Sequence, residues 1–482
     1  MANMKSLAKD TAIYGLSSIV GRFLNYLLVP LYTYYMPKDS GDYGISVNMY
    51  AYTALVLVIL TFGMETTMFR FANKDGENPQ TVFSTAMSVV VTLSVLFLIG
   101  IFGFIDPICS HLGYTDHPEF IEIMAVTVAI DAMMALPFSY LRFQKRAIRF
   151  ASLRIFNILI SIALNVLFFV VLGKTTVFYV FIINLACSAV MVLFFVPDFF
   201  KMKWHFDWGL LKRMFSYSWP ILVLGIAGIL NQTADKIIYP LVCPDKIAEL
   251  GVYGACVKIA MIMAMITQAF RYAYEPIVFA KAKDKDSKEY YAVAMKYFLI
   301  FTLLAFICVV GYMPILQNIL GGGYREGLAV VPIVMMAEIM MGVYFNLSFW
   351  YKLIDKTIWG AWFSLAGCLV LVVFNIVFIP TMGYMACAWG GVAGYGTAMV
   401  LSYLVGQVKN PIRYDLKRIM LYLVATVVIF LVMDNVSTSL PVVGQLALNT
   451  LLIIGFLAII VKLDMPLSAL PVVGKYFRKN KQ

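Results

Sequence analysis

Charge is what this chain has least of. Of its 482 residues, 13% are charged and 62% hydrophobic, against about a quarter charged in ordinary globular chains. Histidine occurs three times, at His111, His117 and His205, in loops and without an HxxxH spacing. The seven cysteines are scattered, mostly within apolar runs, and none form a CxxC pair. Neither a metal site nor a disulfide framework is expected. The glycine-rich LGGGYREG at 320–327 lacks the Gly-Lys-Ser/Thr ending of a phosphate loop and reads as a turn between two apolar runs. Every polar connection is short, so none can fold into a catalytic domain on either face. The expectation is a protein without enzymatic activity or cofactor, and without nucleic-acid contact.

What is abundant is long apolar sequence. The runs predict an all-α integral membrane protein of about fourteen transmembrane helices. The expected spans are 11–35, 43–67, 81–105, 119–141, 150–172, 175–197, 216–242, 250–275, 293–318, 327–350, 358–380, 384–406, 418–434 and 446–463. The short alternating segments of a β-barrel are absent. The opening MANMKSLAKD leads directly into the first span without a small-residue cleavage site, so that span reads as a retained signal anchor. Cations concentrate in alternate loops, as in Arg142, Lys145, Arg146 and Arg149; the opposite loops hold only Lys38, Lys174, Lys246 and Arg325. The positive side should be cytoplasmic, with both termini inside. The net charge of +11 then reads as topology and contact with anionic membrane lipids.

The chain repeats itself at an offset of 210 residues: Gly15 falls on Gly225, Pro30 on Pro240, Gly41 on Gly251, Tyr43 on Tyr253, Gly44 on Gly254 and Glu65 on Glu275. Shared leucines could follow from composition; this register of Gly, Pro, Tyr and Glu does not. Spans 1–6 therefore correspond to 7–12. An even number of spans per copy makes the repeat parallel, related by an axis along the membrane normal. The expected organisation is an N-lobe at 1–200, a C-lobe at 201–408, two appended helices at 409–464 and a basic cytoplasmic tail at 465–482. The two lobes should enclose a central cavity.

Polar residues within the spans are the candidate functional ones. An ionisable group at mid-span costs about 2.5–3.5 kcal/mol on insertion scales, so it should face protein or water. Under the repeat Asn25 matches Asp235 and Arg22 matches Gln232, which places matching polar stripes on spans 1 and 7. In span 8, Gln268, Arg271 and Glu275 share a face, and Lys258 lies in its outer half. Asp131 and Glu338 are element counterparts; a structural role and a coupling-ion role both stand for them. Glu65 and Glu275 sit near the cytoplasmic mouth and read as a gate or packing pair. Arg154 is near a span end, where it can snorkel. With it counted, in-span cations and anions balance at five each. Asp235 and Lys236 are adjacent, hence about 100° apart on a helix. Each is expected to find its own partner: Asp235 toward the cavity with Arg22 or Lys258, Lys236 toward a neighbouring helix. A purely structural lock is the equal alternative.

DKIIYPLVCPDKIAELGVYGACVKIA at 235–260 resembles the span 7–8 segment of the polysaccharide-transport flippases of the multidrug/oligosaccharidyl-lipid/polysaccharide exporter superfamily. That family commonly reads D-K-I, a short loop, then G-x-Y-x-x-A-x-K. Asp235, Lys236, Ile237, Gly251, Tyr253 and Lys258 match, while Ala255 stands one place early. YGLSSIVGRFLNYLLVPLYTYYMPKDSGDYGI at 14–45 is similar to the family's opening. The resemblance implies a flippase that moves an undecaprenyl-diphosphate-linked oligosaccharide across the bacterial inner membrane by alternating access, for O-antigen and other lipopolysaccharide, capsule or exopolysaccharide assembly. It also implies an H+ or Na+ coupling ion and neighbouring polymerases and glycosyltransferases as partners. Arg22, Asn25, Gln232, Asp235, Lys258, Gln268 and Arg271 would contact substrate. A peptidoglycan-precursor flippase and a multidrug/toxin cation antiporter of the same superfamily are the alternatives.

Overall fold

A computed structural model describes residues 26, 28–202, 204–280, 286–354, 356–436 and 439–464, without the side chains of 272–273, 275–277 and 279–280. The described residues are helical, with no strand. Helices fall at each expected span: α1 Leu28–Tyr35, α2 Asp42–Thr61 continued by Met64–Ala72, α3 Pro79–Gly103, α4 Pro118–Phe143, α5 Ala147–Asn165, α6 Val177–Lys201 and α7 Trp208–Val242. The series continues with α8 Ile247–Ala260 and Ile262–Ala280, α9 Ser287–Gly311, α10 Val330–Leu347, α11 Ile358–Met382, α12 Tyr384–Lys409, α13 Leu416–Asn435 and α14 Val442–Leu463. Among the described residues, eleven helices are long and apolar enough to cross a membrane, or twelve when the bent α8 counts as one span. Helix α12 is as long as the others but rich in Gly and Ala, which lowers its hydropathy.

Boundaries follow local chemistry that the hydropathy pattern does not weigh. Helix α7 starts at Trp208, not at 216, because Asp207 caps it: its carboxylate accepts the N–H groups of Leu210 at 3.1 Å and Gly209 at 2.7 Å. Those donors, Leu210's first, hold the Asp207 carboxyl below its ordinary range. Helix α3 starts at Pro79 behind an Asn78 cap. Two spans are broken. Phe62 and Gly63 both take left-handed φ, 49° and 66°, and split α2; for Phe62 that costs about 1–2 kcal/mol. Helix α8 bends by 41° at Met261, so Lys258 and Gln268 do not share one straight helix.

The described residues divide into two compact units. The first holds residues up to Lys258, Leu320–Gly327 and Ser364–Gly394. Its core of Met64, Met68, Phe83, Ala86, Leu136 and Met214 joins α2, α3, α4 and α7. The repeat glycines meet here. A Cβ on Gly44 would lie 1.9 Å from the Ile247 carbonyl oxygen and 3.1 Å from the Gly251 nitrogen. A Cβ on Gly254 would lie 2.5 Å from Val47. Helix α2 and the first half of α8 thus cross with their backbones in contact, as small residues allow. The turn at 320–327 packs into the same region. Tyr324, 2% exposed, donates to the Met36 carbonyl at 3.1 Å and meets the Tyr43 ring edge-on. Lys38 pairs with Glu326 at 2.6 Å.

The second unit holds Ile259–Ile319, Leu328–Phe363 and the residues from Tyr395. An aromatic core of Tyr274, Tyr291, Tyr344, Phe349, Trp350 and Tyr351 fills it. The appended pair α13 and α14 is clamped to α9 at both ends. Asn449 donates to the Gly311 carbonyl at 2.9 Å at one end. At the other, Lys296 and the Tyr422 hydroxyl meet the Asp464 carboxylate at 2.5 and 2.7 Å.

Candidate functional site

A polar cluster lies within the span of α7, and a proline prepares it. Pro240 has no N–H, so the carbonyl of Lys236, four residues earlier, loses its helical partner. Asn48 of α2, 1% exposed, fills that vacancy by donating to the Lys236 oxygen at 2.8 Å. The Tyr114 hydroxyl in turn donates to Asn48 Oδ1 at 2.8 Å. Asp235 is buried, and its carboxylate accepts the Tyr253 hydroxyl of α8 at 2.7 Å.

Lys236 overturns the expectation of divergent partners. Its Nζ lies 3.1 Å from both Asp235 carboxylate oxygens and 3.1 Å from the Gln232 carbonyl. The two Cα–Cβ bonds do diverge, but the four-carbon lysine stem is long and flexible enough to fold back along the helix. The neighbours are each other's partner, and no ion pair joins Asp235 to Lys258 among the described residues. Asp235 and Lys236 are thus paired and held by hydrogen bonds from α7 itself and α8, the condition under which in-span charges are tolerated.

Lys258 differs. It is partly buried on α8, its Nζ lies 5.9 Å from the Tyr26 ring centre, and no carboxylate pairs with it among the described residues. Gln232 is exposed on α7, one turn before Asp235, with its amide 3.5 Å from the Gly228 carbonyl.

The other expected site residues are spread out. Asp131 of α4 accepts the Ser188 hydroxyl of α6 at 2.6 Å. Glu65 accepts the Ser139 hydroxyl at 2.8 Å, and Arg142 approaches it at 3.4 Å, tying the continuation of α2 to α4. Arg154 stacks 4.2 Å from the Phe138 ring centre. These belong to the first unit. In the second, Arg271 is exposed over the Phe345 ring at 4.9 Å, Gln268 lies a turn before it, and Glu338 is partly buried on α10. Arg22, Asn25 and the side chain of Glu275 fall outside the described residues. Sequence reasoning missed Asn48 and Tyr114. Pro240 was the available signal, because it announces an orphan carbonyl that some donor must meet.

Eleven or twelve spanning helices among the described residues, a paired charge inside a span and glycine-mediated crossings define a multi-span membrane transporter fold. Solved structures agree on that fold. The lipid II flippase MurJ, in an inward closed conformation, superposes with a TM-score of 0.75 at 14% identity, covering 93% of this chain and 98% of MurJ. An inward-facing multidrug resistance MATE family transporter of the MOP superfamily gives 0.65 at 15% identity, over 83% and 95%. An outward-facing transporter of that same family gives 0.57 at 14%, over 86% and 96%. No curated protein matches the sequence. The polysaccharide biosynthesis protein family model matches residues 39–329, and the chain belongs to that family.

Proposed function

We propose that this protein flips an undecaprenyl-diphosphate-linked oligosaccharide from the cytoplasmic to the outer leaflet of a bacterial inner membrane, for O-antigen, capsule or exopolysaccharide synthesis. Family membership supports a role in polysaccharide assembly, and the fold is one that MurJ and MATE proteins share. The observation that carries the reading is Lys258, an in-span ammonium with no carboxylate partner among the described residues. Such a cation is costly unless it serves an anion that comes and goes, and a diphosphate is one. The headgroup cannot cross hydrocarbon unaided, whereas the polyprenyl tail can remain in lipid.

In this reading Lys258, Gln232, Gln268 and Arg271, with Arg22 and Asn25, contact the headgroup, while Asp235 positions α7 against α8. The two six-span repeats alternate access. Asp131 and Glu338 carry the coupling ion, H+ or Na+, and Glu65 and Glu275 form the gate on the cation-rich side. The protein acts as a carrier without catalysis, beside the glycosyltransferases and polymerase that make and use its cargo.

The test is reconstitution in proteoliposomes with fluorescent undecaprenyl-diphosphate oligosaccharide, lipid II and a small organic cation, each offered separately. Leaflet exchange of the oligosaccharide lipid, lost in Lys258→Ala, is expected. Exchange of lipid II alone would identify a peptidoglycan-precursor flippase, and uptake of the cation alone an antiporter.

A further inference from the structure

A second polar cavity lies away from the α7–α8 cluster, within the first unit. It measures about 330 Å³ at the cation-rich ends of α3, α4, α5 and α6. One wall is fixed. Arg149 donates to both Asp198 carboxylate oxygens, at 2.9 and 2.5 Å, and to the Phe194 carbonyl at 3.3 Å, bolting α5 to α6. That bolt sets the register of two further cations. Lys201 follows Asp198 by three on α6 and so shares its helix face, while Arg146 is the residue from which α5 starts, three before Arg149.

Arg146 and Lys201 line the cavity, are exposed, and make no side-chain hydrogen bond or ion pair among the described residues. The amides of Gln80 and Gln144 also line it and are likewise unengaged. Asp198 offsets Arg149, which leaves two positive charges uncompensated. The turn that delivers Arg146 is held at a cost. Arg146 N–H bonds the Leu141 carbonyl and Lys145 N–H the Arg142 carbonyl, with Lys145 at φ 58°, where glycine is usual. Trp204 lies tilted against Phe83 and Phe199 of the cavity wall, with ring centres 6.5 and 6.2 Å away, while 51% exposed, and Trp208 is 69% exposed, as in the aromatic belt at a membrane interface.

We propose that this cavity binds the phosphate headgroup of an anionic membrane lipid, with Arg146 and Lys201 as its charged ligands, the two glutamines as neutral donors and the Arg149–Asp198 pair as a rigid wall. Basic clefts between spans at headgroup level recognise such lipids. Phosphate is the shared chemistry; the lipid is taken as its source because the cavity lies among the ends of four spans, beside the exposed Trp204 and Trp208. The inference stands apart from the transport reading, since it needs neither Lys258 nor any cargo.

The experiment is native mass spectrometry of the full-length protein in detergent with equal phosphatidylglycerol and phosphatidylcholine, followed by nanodisc titration. The wild type should retain phosphatidylglycerol preferentially. Arg146→Gln with Lys201→Gln should weaken that preference about five-fold per charge removed. Gln80→Glu with Gln144→Glu, which keeps both cations, should weaken it as well. Lys356→Gln with Lys409→Gln, elsewhere in the chain, should leave it unchanged. An equal loss in that distant pair, or no loss in the first, would overturn the site. Millimolar inorganic phosphate that displaces the lipid completely would overturn the lipid assignment.

Discussion

Two lysines, one helix apart, meet opposite fates. Lys236 of α7 folds back onto Asp235 at 3.1 Å, inside a network with Tyr253, Asn48 and Tyr114. Lys258 of α8 has the Tyr26 ring beside it at 5.9 Å and no carboxylate among the described residues. The contrast separates two uses of charge within a span. A satisfied pair joins helices, and its removal is felt in stability. A cation without a carboxylate costs stability within a span, and its value lies in what it binds.

The harshest way to break the comparison is to push α2 off α8, the helix that carries Lys258. Gly44→Leu puts a side chain where the Ile247 carbonyl is 1.9 Å from the Cβ position. Destabilisation at or beyond the roughly 3 kcal/mol upper end for overpacking is expected, seen as lost folded yield. Gly100→Leu, with nothing within 4 Å, is the tolerated control.

Asp235→Ala should come next, at up to about 3–5 kcal/mol, because the partly buried Lys236 loses its carboxylate and keeps only the Gln232 carbonyl. Asp235→Leu with Lys236→Met should recover most of that loss in thermal unfolding. A double variant as unstable as the single would mean that the pair is not the lock.

Tyr253→Phe removes one hydrogen bond to a charged acceptor and should cost about 1.5–3 kcal/mol. The same change at Tyr34, which lies beside Arg325 at 3.4 Å and is exposed, should cost less.

Lys38 paired with Glu326 on the surface is a weaker case, about 0.2–1 kcal/mol. The hydrogen bond to Glu326 raises the Lys38 pKa above its ordinary value of 10.5. A raised folded-state pKa means the contribution is present below 10.5 and is lost as pH climbs through the higher folded value. Lys38→Ala should therefore flatten the alkaline limb of a stability–pH curve.

Lys258→Gln should leave the fold no less stable, because it removes an in-span charge that no carboxylate pairs with among the described residues, while abolishing oligosaccharide-lipid exchange. A large loss of stability would place Lys258 with Lys236 and remove the contrast.

Much of this was legible in the chain itself. Apolar length counts residues against a bilayer, and hydrocarbon leaves a spanning segment little choice but helix, so the spans and the in-span polar residues follow from composition. The 210-residue register also picked out Gly41, Gly44, Gly251 and Gly254 before their contacts were visible. Tertiary structure decided the rest. Helical geometry alone sent Asp235 and Lys236 to different partners; the reach of a flexible stem, and the Tyr253 hydroxyl arriving from α8, brought them together. The 320–327 turn read as a plain connection, yet Tyr324 is buried against α1 and α2, because packing between segments some 290 residues apart leaves no local trace. Periodicity and cost are properties of the chain, whereas partnership depends on which distant side chain arrives.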